Sequence, residues 1–439
     1  PILTLASLVF YEYWDPKYLL LLGGSIGANY WLGRRILACD EAGPGRARWM
    51  AGGIALNLSV LAWFKYAGFL ATNVNALAGT TLPVPQLVLP LAISFITFQK
   101  IAFLVDCRRG IVRSVDFESF AFFVSFFPPL IAGPIFHYRE FEPQVKAPGF
   151  LRLDADTVVR GLLLFLFGLA KKVLLADPLA VGVQDAFTAG VSQGAFSFVE
   201  AWRFALSYAL QIYLDFSGYS NMAIGLALMF GIVLPLNFNA PYQATSLIDF
   251  WQRWHMTLSR FLRDYLYIPL GGNRRGRLMR YRNLLLTMLL GGLWHGAGWN
   301  FVVWGALHGA GLTVNHAWRE WRGHAASAAT GLTAGRIIGW AATFLFVVVA
   351  WIPFRVESPY ITLLVWKGMA GLGRWDWTFA NSSFDQGLPY VVQQMNLALY
   401  WGHQVGAQLL PEAAWLARSE EHTSELQSLA YLVCRLLLE

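Results

Sequence analysis

The chain has 439 residues, of which 56% are hydrophobic and 13% are charged. Soluble domains carry about 25% charged residues, so this composition excludes an ordinary soluble enzyme and predicts a membrane protein. The formal net charge is +7, but the basic residues fall in short runs between apolar segments, as the positive-inside rule expects of cytoplasmic loops. We therefore expect membrane lipids, and not nucleic acid, around this chain.

Apolar segments recur along most of the chain, with short loops between them. The sequence predicts a single all-α membrane domain over residues 1–417 with nine to eleven transmembrane helices. Because the chain opens inside an apolar run, we expect its natural start to lie further upstream. The tail over residues 418–439 opens with a densely polar run, Ser419 to Glu425, and we expect this tail to be non-native. The predicted spans are 2–10, 18–32, 49–70, 87–105, 158–175, 204–234, 337–354, 361–372 and 388–410, together with a divided segment over 283–318.

Two stretches depart from this pattern of plain spans. Residues 120–136 are apolar but contain Pro128, Pro129 and a Gly133-Pro134 pair, which predicts a re-entrant or broken segment buried in protein or lining a cavity. Residues 237–272 mix charged side chains with Phe and Trp, which favours amphipathic helices at the interface or in the wall of a polar cavity. We expect this second stretch to hold the substrate side of a site.

The divided segment over 283–318 contains no Asp, Glu, Lys or Arg but three histidines, His295, His308 and His316. As one helix its 36 residues would exceed the roughly 30 Å of a hydrocarbon core, and Gly296-Ala297-Gly298 is the natural break. His295 directly precedes that break, about 18 Å along the helix from Asn283. An ionisable group at such depth is a functional-site hypothesis.

Acyl transfer to a hydroxyl needs a base to take the proton of that hydroxyl. Desolvation disfavours an imidazolium ion, so a histidine in apolar packing stays neutral and can accept a proton. We therefore predict His295 as the base; the alternative is a structural hydrogen bond to a neighbouring helix. His308 and His316 have neither the further ligands nor the HExxH spacing of a metal site, so we expect no metal and assign both to packing.

Asp215 and Lys65 are among the charged residues inside predicted spans. Asp215 is about 16 Å along its helix if counted from Phe204, and it could orient a histidine or form a buried structural pair with an arginine. Lys65 is expected to extend to the membrane interface. A proton-coupled transporter of a small anion or lipid would also place an Asp and a His at mid-membrane, so transport is the rival class.

Several motifs together make the chain resemble the membrane-bound O-acyltransferases. The resemblance is strongest to the alginate O-acetyltransferase branch, which is related to the teichoic-acid D-alanyl transferase, and it covers residues 1 to 372. The motifs are LDFSGYS at 214–220, NFNAPY at 237–242, DFWQRWH at 249–255, RDYLYIPLGGN at 263–273 and GLWHG at 292–296, with LPLAISF at 89–95, LIAGP at 130–134 and KKV at 171–173 upstream.

The resemblance implies a multi-pass enzyme of the bacterial inner membrane with a central tunnel. It would move an acyl group, expected to be acetyl, from an activated cytoplasmic donor such as acetyl-CoA or a carrier thioester toward an exported polysaccharide such as alginate. D-alanyl transfer to a cell-envelope polymer is the alternative within the family. No bound cofactor is expected, and periplasmic partner proteins would complete the acetylation.

The resemblance also assigns roles to particular residues. The histidine of the family's Trp-His-Gly motif is catalytic, which corresponds to His295, and Asp215 is expected to orient or polarise the site. The histidine of a Trp-Arg-Arg-Trp-His pattern corresponds to His255, although Gln252 replaces one of its arginines. We expect substrate binding by four residues, namely His255, Arg253, Asp249 and Asn237. Direct transfer and an acyl-histidine intermediate both stay open.

Overall fold

The computed structural model describes residues 2–12, 15–41, 43–151, 154–322 and 333–374, and these ranges contain helices, turns and irregular segments but no strand. The all-α prediction is confirmed for them. The predicted span at 388–410 and the polar tail at 418–439 lie outside the described residues.

The described residues form fifteen α-helices, numbered in chain order. The first eight are α1 Ile2–Glu12, α2 Lys17–Leu37, α3 Pro44–Ala78, α4 Ile93–Arg108, α5 Phe117–Ser125, α6 Tyr138–Val145, α7 Ala155–Ala170 and α8 Asp177–Ser192. The other seven are α9 Phe198–Met229, α10 Leu247–Arg253, α11 Met256–Leu262, α12 Arg277–His295, α13 Trp299–Arg322, α14 Ala334–Arg355 and α15 Pro359–Met369.

Two of the described helices, α3 and α14, are long and apolar enough to cross a membrane. Only 11% of the most apolar part of α3 is buried within the protein, so this helix is not the core helix of a soluble domain. The predicted count of nine to eleven spans is not confirmed. Other helices are too short or carry several charges, as α4 with 16 residues and α12 with Arg277, Arg280 and Arg282 illustrate.

The region after α7 differs from the prediction, which ended a helix at Leu175 and recognised none before Phe204. The chain instead continues through a π-helical turn, Lys171–Ala176, directly into α8. Pro178 lies in the first turn of α8. Because proline lacks an N–H and its ring collides with the preceding turn, a local change of hydrogen bonding there lets the helix continue.

Helices α7 and α9 pack closely through two pairs of glycines. A Cβ on Gly218 would lie 2.8 Å from the carbonyl oxygen of Gly168, and a Cβ on Gly225 would lie 2.5 Å from that of Gly161. Such contacts are shorter than a side chain permits, so glycine is required on both helices. This close approach places the middle of α9 beside the π-helical turn.

The predicted broken segment at 120–136 is confirmed. Helix α5 ends at Ser125, and irregular backbone leads to α6 among buried side chains that include Phe126, Leu130 and Phe136. The backbone N–H of Ile135 donates to the Thr257 hydroxyl at 2.9 Å. Irregular backbone at this depth is tolerated because it is enclosed by protein.

Candidate active site

The charge-free stretch divides where the sequence predicted. Helix α12 ends at His295 and α13 begins at Trp299. A Cβ on Gly296 would overlap the ring of Phe301, and a Cβ on Gly292 would overlap the carbonyl oxygen of the same residue. The glycines therefore allow α13 to fold back tightly on α12 and present His295 at the end of a rigid helix.

His295 opens onto a cavity of about 610 Å³. This volume lies in the range of small-molecule sites. The wall is largely apolar and aromatic, and its polar and charged members come from five different helices and the segment before α11. They are Lys65, Ser94, Lys172, Asp215, Tyr219, His255 and His295.

The His295 ring is held by aromatic contacts alone among the residues that the structure describes. Its centroid lies 4.9 Å from that of Trp294, 5.1 Å from Trp304 and 5.0 Å from Phe354. The side chain is only partly buried and has no hydrogen-bond partner within the described ranges. Both ring nitrogens are therefore available to a ligand.

His255 lines the same cavity as His295, and Trp294 is in contact with both rings. It is 1% exposed and has φ of 42°, the left-handed region that a non-glycine residue rarely adopts. Its Nδ1 lies 3.0 Å from Oδ1 of Asn237, and its buried Nε2 has no described partner. Backbone strain of this kind is concentrated at functional sites.

Asn237, which the sequence placed in substrate binding, lies behind His255 and does not line the cavity. Its Oδ1 accepts the Thr257 hydroxyl at 2.9 Å, and its Nδ2 donates to Ser220 at 3.2 Å. Because an amide oxygen only accepts, Nδ1 of His255 must carry the hydrogen. The lone pair is then on the buried Nε2.

Asp215 lines the cavity, but its described partner is neither a histidine nor an arginine. Its Oδ1 lies 2.7 Å from Nζ of Lys172, which also contacts Asp177 at 2.7 Å. Both partners are about two-fifths exposed. The glycine-mediated contact of α7 with α9 and the π-helical turn bring these side chains together.

Asp249 and Arg253 are not brought to the cavity wall. They pair with each other at 2.7 Å along α10. Asp249 also accepts the backbone N–H of Thr245, and Arg253 donates to the carbonyl oxygen of Asn239. In this structure the pair braces the loop before α10.

Sequence reasoning missed Lys65. In this structure Lys65 lines the cavity, and its Nζ donates to the Trp294 carbonyl and, at 3.2 Å, to Ser94; its extension to the membrane interface stays a prediction. The adjacent Tyr66 donates to the Leu293 carbonyl at 2.6 Å. The carbonyls at the end of α12 have no partners within the helix, so these donors satisfy them. The signal was present as the only charge between Trp49 and Ala78.

The other two histidines of the stretch do not line this cavity. His308 is fully buried, accepts the indole N–H of Trp251 at 3.3 Å and packs against Trp304. His316 lies further along α13, near Arg280 of α12. Within the described ranges no group of three or more His, Cys, Asp or Glu side chains could hold a metal ion.

Comparison with known proteins addresses the resemblance directly. The profile of the membrane-bound O-acyltransferase family matches residues 54–362, which is most of the chain and includes the cavity. The chain belongs to this family. It is therefore an O-acyltransferase.

Three relatives show which enzymes this chain is similar to. The chain is 44% identical to the peptidoglycan O-acetyltransferase of Helicobacter pylori over 84% of this chain and 73% of the relative. It is 39% identical to the probable alginate O-acetylase of Pseudomonas aeruginosa over 88% and 72% respectively. The teichoic acid D-alanyltransferase of Streptococcus thermophilus is more distant, with 27% identity over 52% of this chain and 57% of the relative.

Proposed function

We propose that this chain is a multi-pass enzyme of the bacterial inner membrane that transfers an acetyl group to hydroxyls of an exported polysaccharide such as alginate. The observation that carries the proposal is a cavity of about 610 Å³ that is lined by both His255 and His295, of which His295 has no described hydrogen-bond partner. A free imidazole in a largely apolar cavity is suited to take a proton from a bound hydroxyl.

In this mechanism His295 is the general base. The acceptor hydroxyl lies against its ring, and the donor carbonyl carbon lies next to that hydroxyl. His255, fixed through Asn237, lines the same cavity and helps to bind the acceptor or to hand it on. Asp215 and Lys172 contribute a fixed ion pair that orients polar groups at the opposite wall. A transient acyl-histidine on His295 is compatible with the same geometry.

The donor in this proposal is an activated acyl group from the cytoplasm, carried as acetyl-CoA or as a carrier thioester. The acceptor polymer lies beyond the membrane, so periplasmic partner proteins complete the transfer. No bound cofactor takes part. Asp249 and Arg253, which pair on α10 away from the cavity wall, act on the acceptor side only through the loop that they brace.

A second candidate has a specific observation in its favour. Identity to a protein named peptidoglycan O-acetyltransferase is 44%, against 39% for a probable alginate O-acetylase. The acceptor would then be a cell-wall glycan with the same hydroxyl chemistry. D-alanyl transfer is less favoured because that relative shares 27% identity over about half of the chain.

The test uses membranes that contain the full chain and a labelled acetyl donor. We expect label to enter polysaccharide in the presence of the unaltered protein and not with His295→Ala at equal expression. Parallel assays with alginate and peptidoglycan fragments distinguish the two acceptors. Equal labelling by the His295→Ala variant would refute the assignment of the base, and transport of the donor without any new ester would favour a transporter.

A further inference from the structure

Lys65 is a second functional group that lines this cavity. It lies on α3, which carries no other charge after Arg48, and it has no ion pair among the described residues. Its ammonium carries three N–H donors. One donates to the Trp294 carbonyl and one to the Ser94 hydroxyl, so the third is free for a ligand in the cavity that both residues line.

The neighbours of Lys65 favour its charged form. A carbonyl oxygen is among its acceptors, and the faces of Tyr66 and Trp294 lie 6.0 Å and 5.9 Å from Nζ. Carbonyl dipoles and aromatic faces attract a cation. The one carboxylate of the cavity wall, Asp215, is already paired with Lys172, so it does not neutralise Lys65.

The first turn of α4 adds to the positive potential on the same side. Pro90, Ala92, Ile93 and Ser94 line the cavity, and no side chain caps the N-terminus of α4. Ala92 has φ of 57°, a strained conformation for a residue with a side chain. The positive end of a helix of 16 residues therefore faces the cavity next to the ammonium.

We propose that Lys65 is a catalytic residue that stabilises the oxyanion formed during acyl transfer. The inference rests on the proposed function, since it takes His295 as the base. It adds the electrophilic half of the site: a cation fixed through the Trp294 carbonyl, one residue before the base, so that proton acceptor and oxyanion donor are held by the same helix end.

The acceptor oxygen attacks the carbonyl carbon of the donor thioester, and its proton passes to the His295 imidazole. The C=O double bond opens to an alkoxide, which accepts a hydrogen bond from the third N–H of Lys65. Collapse of this intermediate restores the C=O bond and breaks the carbon–sulfur bond. The leaving thiolate takes the proton from the imidazolium, so the products are an ester and a thiol.

The experiment measures transfer kinetics of the full chain in proteoliposomes with a thioester donor. An oxyanion donor acts only in the transition state, and removal of one typically lowers kcat by about 10² to 10³. We expect this loss for Lys65→Met, with KM changed little. A thioether analogue of the donor, which lacks the carbonyl oxygen, should bind the variant and the unaltered protein with the same Kd.

Three further variants separate catalysis from structure. Lys100→Met removes a buried lysine that lines a different cavity between α2, α3 and α4, and it should leave kcat within about threefold. Tyr66→Phe removes only the neighbouring anchor on α12. Lys65→Gln keeps an N–H for the Trp294 carbonyl without the charge, and it should lose kcat as Lys65→Met does even if the methionine variant folds poorly.

The outcomes distinguish this inference from the proposed function. If His295→Ala abolishes transfer and Lys65→Gln keeps normal kcat, Lys65 is not the oxyanion donor although the base assignment stands. If Tyr66→Phe lowers kcat as much as Lys65→Gln, Lys65 acts only by positioning α12, and the inference is again overturned. If His295→Ala is fully active, the proposed role of His295 as the base is refuted, independently of the result for Lys65.

Discussion

The two histidines that line the cavity are held in opposite ways. His255 is 1% exposed, strained at φ 42° and fixed through Asn237, whereas His295 is partly open and contacts only aromatic rings among the described residues. A ring whose nitrogen is already bonded keeps one tautomer and one orientation. A ring with free nitrogens can exchange protons with a ligand.

The difference follows from where each histidine lies in its segment. His295 is the last residue of a helix that is rigid up to a glycine break, so its backbone is fixed and its side chain projects beyond the helix end. His255 sits between two seven-residue helices and needs an added hydrogen bond to be positioned. We infer that the first is the reacting group and the second supports the site.

Replacement of His295 should have the largest effect on kcat. We expect His295→Gln to lower kcat by about 10² to 10⁴, the contribution of a positioned general base. Its melting temperature should stay close to that of the unaltered protein because the ring makes no described hydrogen bond. Single-turnover transfer and thermal unfolding in detergent measure the two quantities.

Removing the support of His255 should have a smaller effect on rate and a larger one on stability. Asn237→Ala leaves the Nδ1 hydrogen of His255 and the Thr257 hydroxyl without an acceptor, and each buried unpaired group costs about 1 to 3 kcal/mol. A displaced ring should lower kcat by up to about 10². Ser220→Ala, which removes only the bond to Nδ2, is the matched control. An Asn237→Ala enzyme with full activity would show that His255 needs no such support.

The pH profile tests the free histidine without any substitution. Acid protonates the imidazole, and an imidazolium cannot accept the acceptor's proton, so activity should fall as the pH is lowered. The acid limb should disappear from the residual activity of His295→Gln and persist in Arg253→Gln. Because desolvation disfavours the imidazolium, this limb should lie on the acid side of the ordinary histidine range, and an acid limb that is unchanged in His295→Gln would contradict a titrating His295 base.

The end of α12 that carries His295 can be destabilised at its contact with α13. In Gly292→Ala the new methyl group would overlap the Phe301 carbonyl, and such overpacking costs about 1 to 3 kcal/mol. Gly182→Ala is the control, because a Cβ there has no atom within 4 Å and alanine should stabilise α8 by up to about 1 kcal/mol. Thermal unfolding of both variants checks the opposite signs.

The smallest effect is expected at the pair away from the cavity. Arg253→Gln removes an ion pair with Asp249 whose side chains are 31% and 26% exposed, a change of about 1 kcal/mol or less. Transfer kinetics should be nearly those of the unaltered enzyme. A kcat loss comparable to that of Asn237→Ala would support the predicted role of Arg253 in substrate binding.

The sequence predicted the local features of the site well. The glycine break after His295, the broken proline-rich segment and the all-α class each depend on the conformational limits of a few neighbouring residues. These limits are readable without tertiary structure. The residue motifs then identified the family, which the comparisons confirm.

What could not be read were the contacts between distant segments. Lys65 looked like an interfacial side chain because nothing in α3 reveals that Trp294 lies 229 positions further along the chain. Asp215 pairs with Lys172 only because glycines let α7 and α9 approach closely. Asn237 and Arg253 come from adjacent motifs, yet Asn237 lies behind His255 and Arg253 pairs with Asp249 on α10 away from the cavity wall.

The most direct measurement compares three proteins in the same proteoliposomes: the unaltered chain, His295→Gln and His255→Gln. The quantity is the single-turnover rate at which label passes from a thioester donor to polysaccharide hydroxyls. We predict a loss of at least about 10² for His295→Gln and a clearly smaller loss for His255→Gln. Normal transfer by His295→Gln, or a greater loss in His255→Gln, would contradict the assignment of His295 as the base.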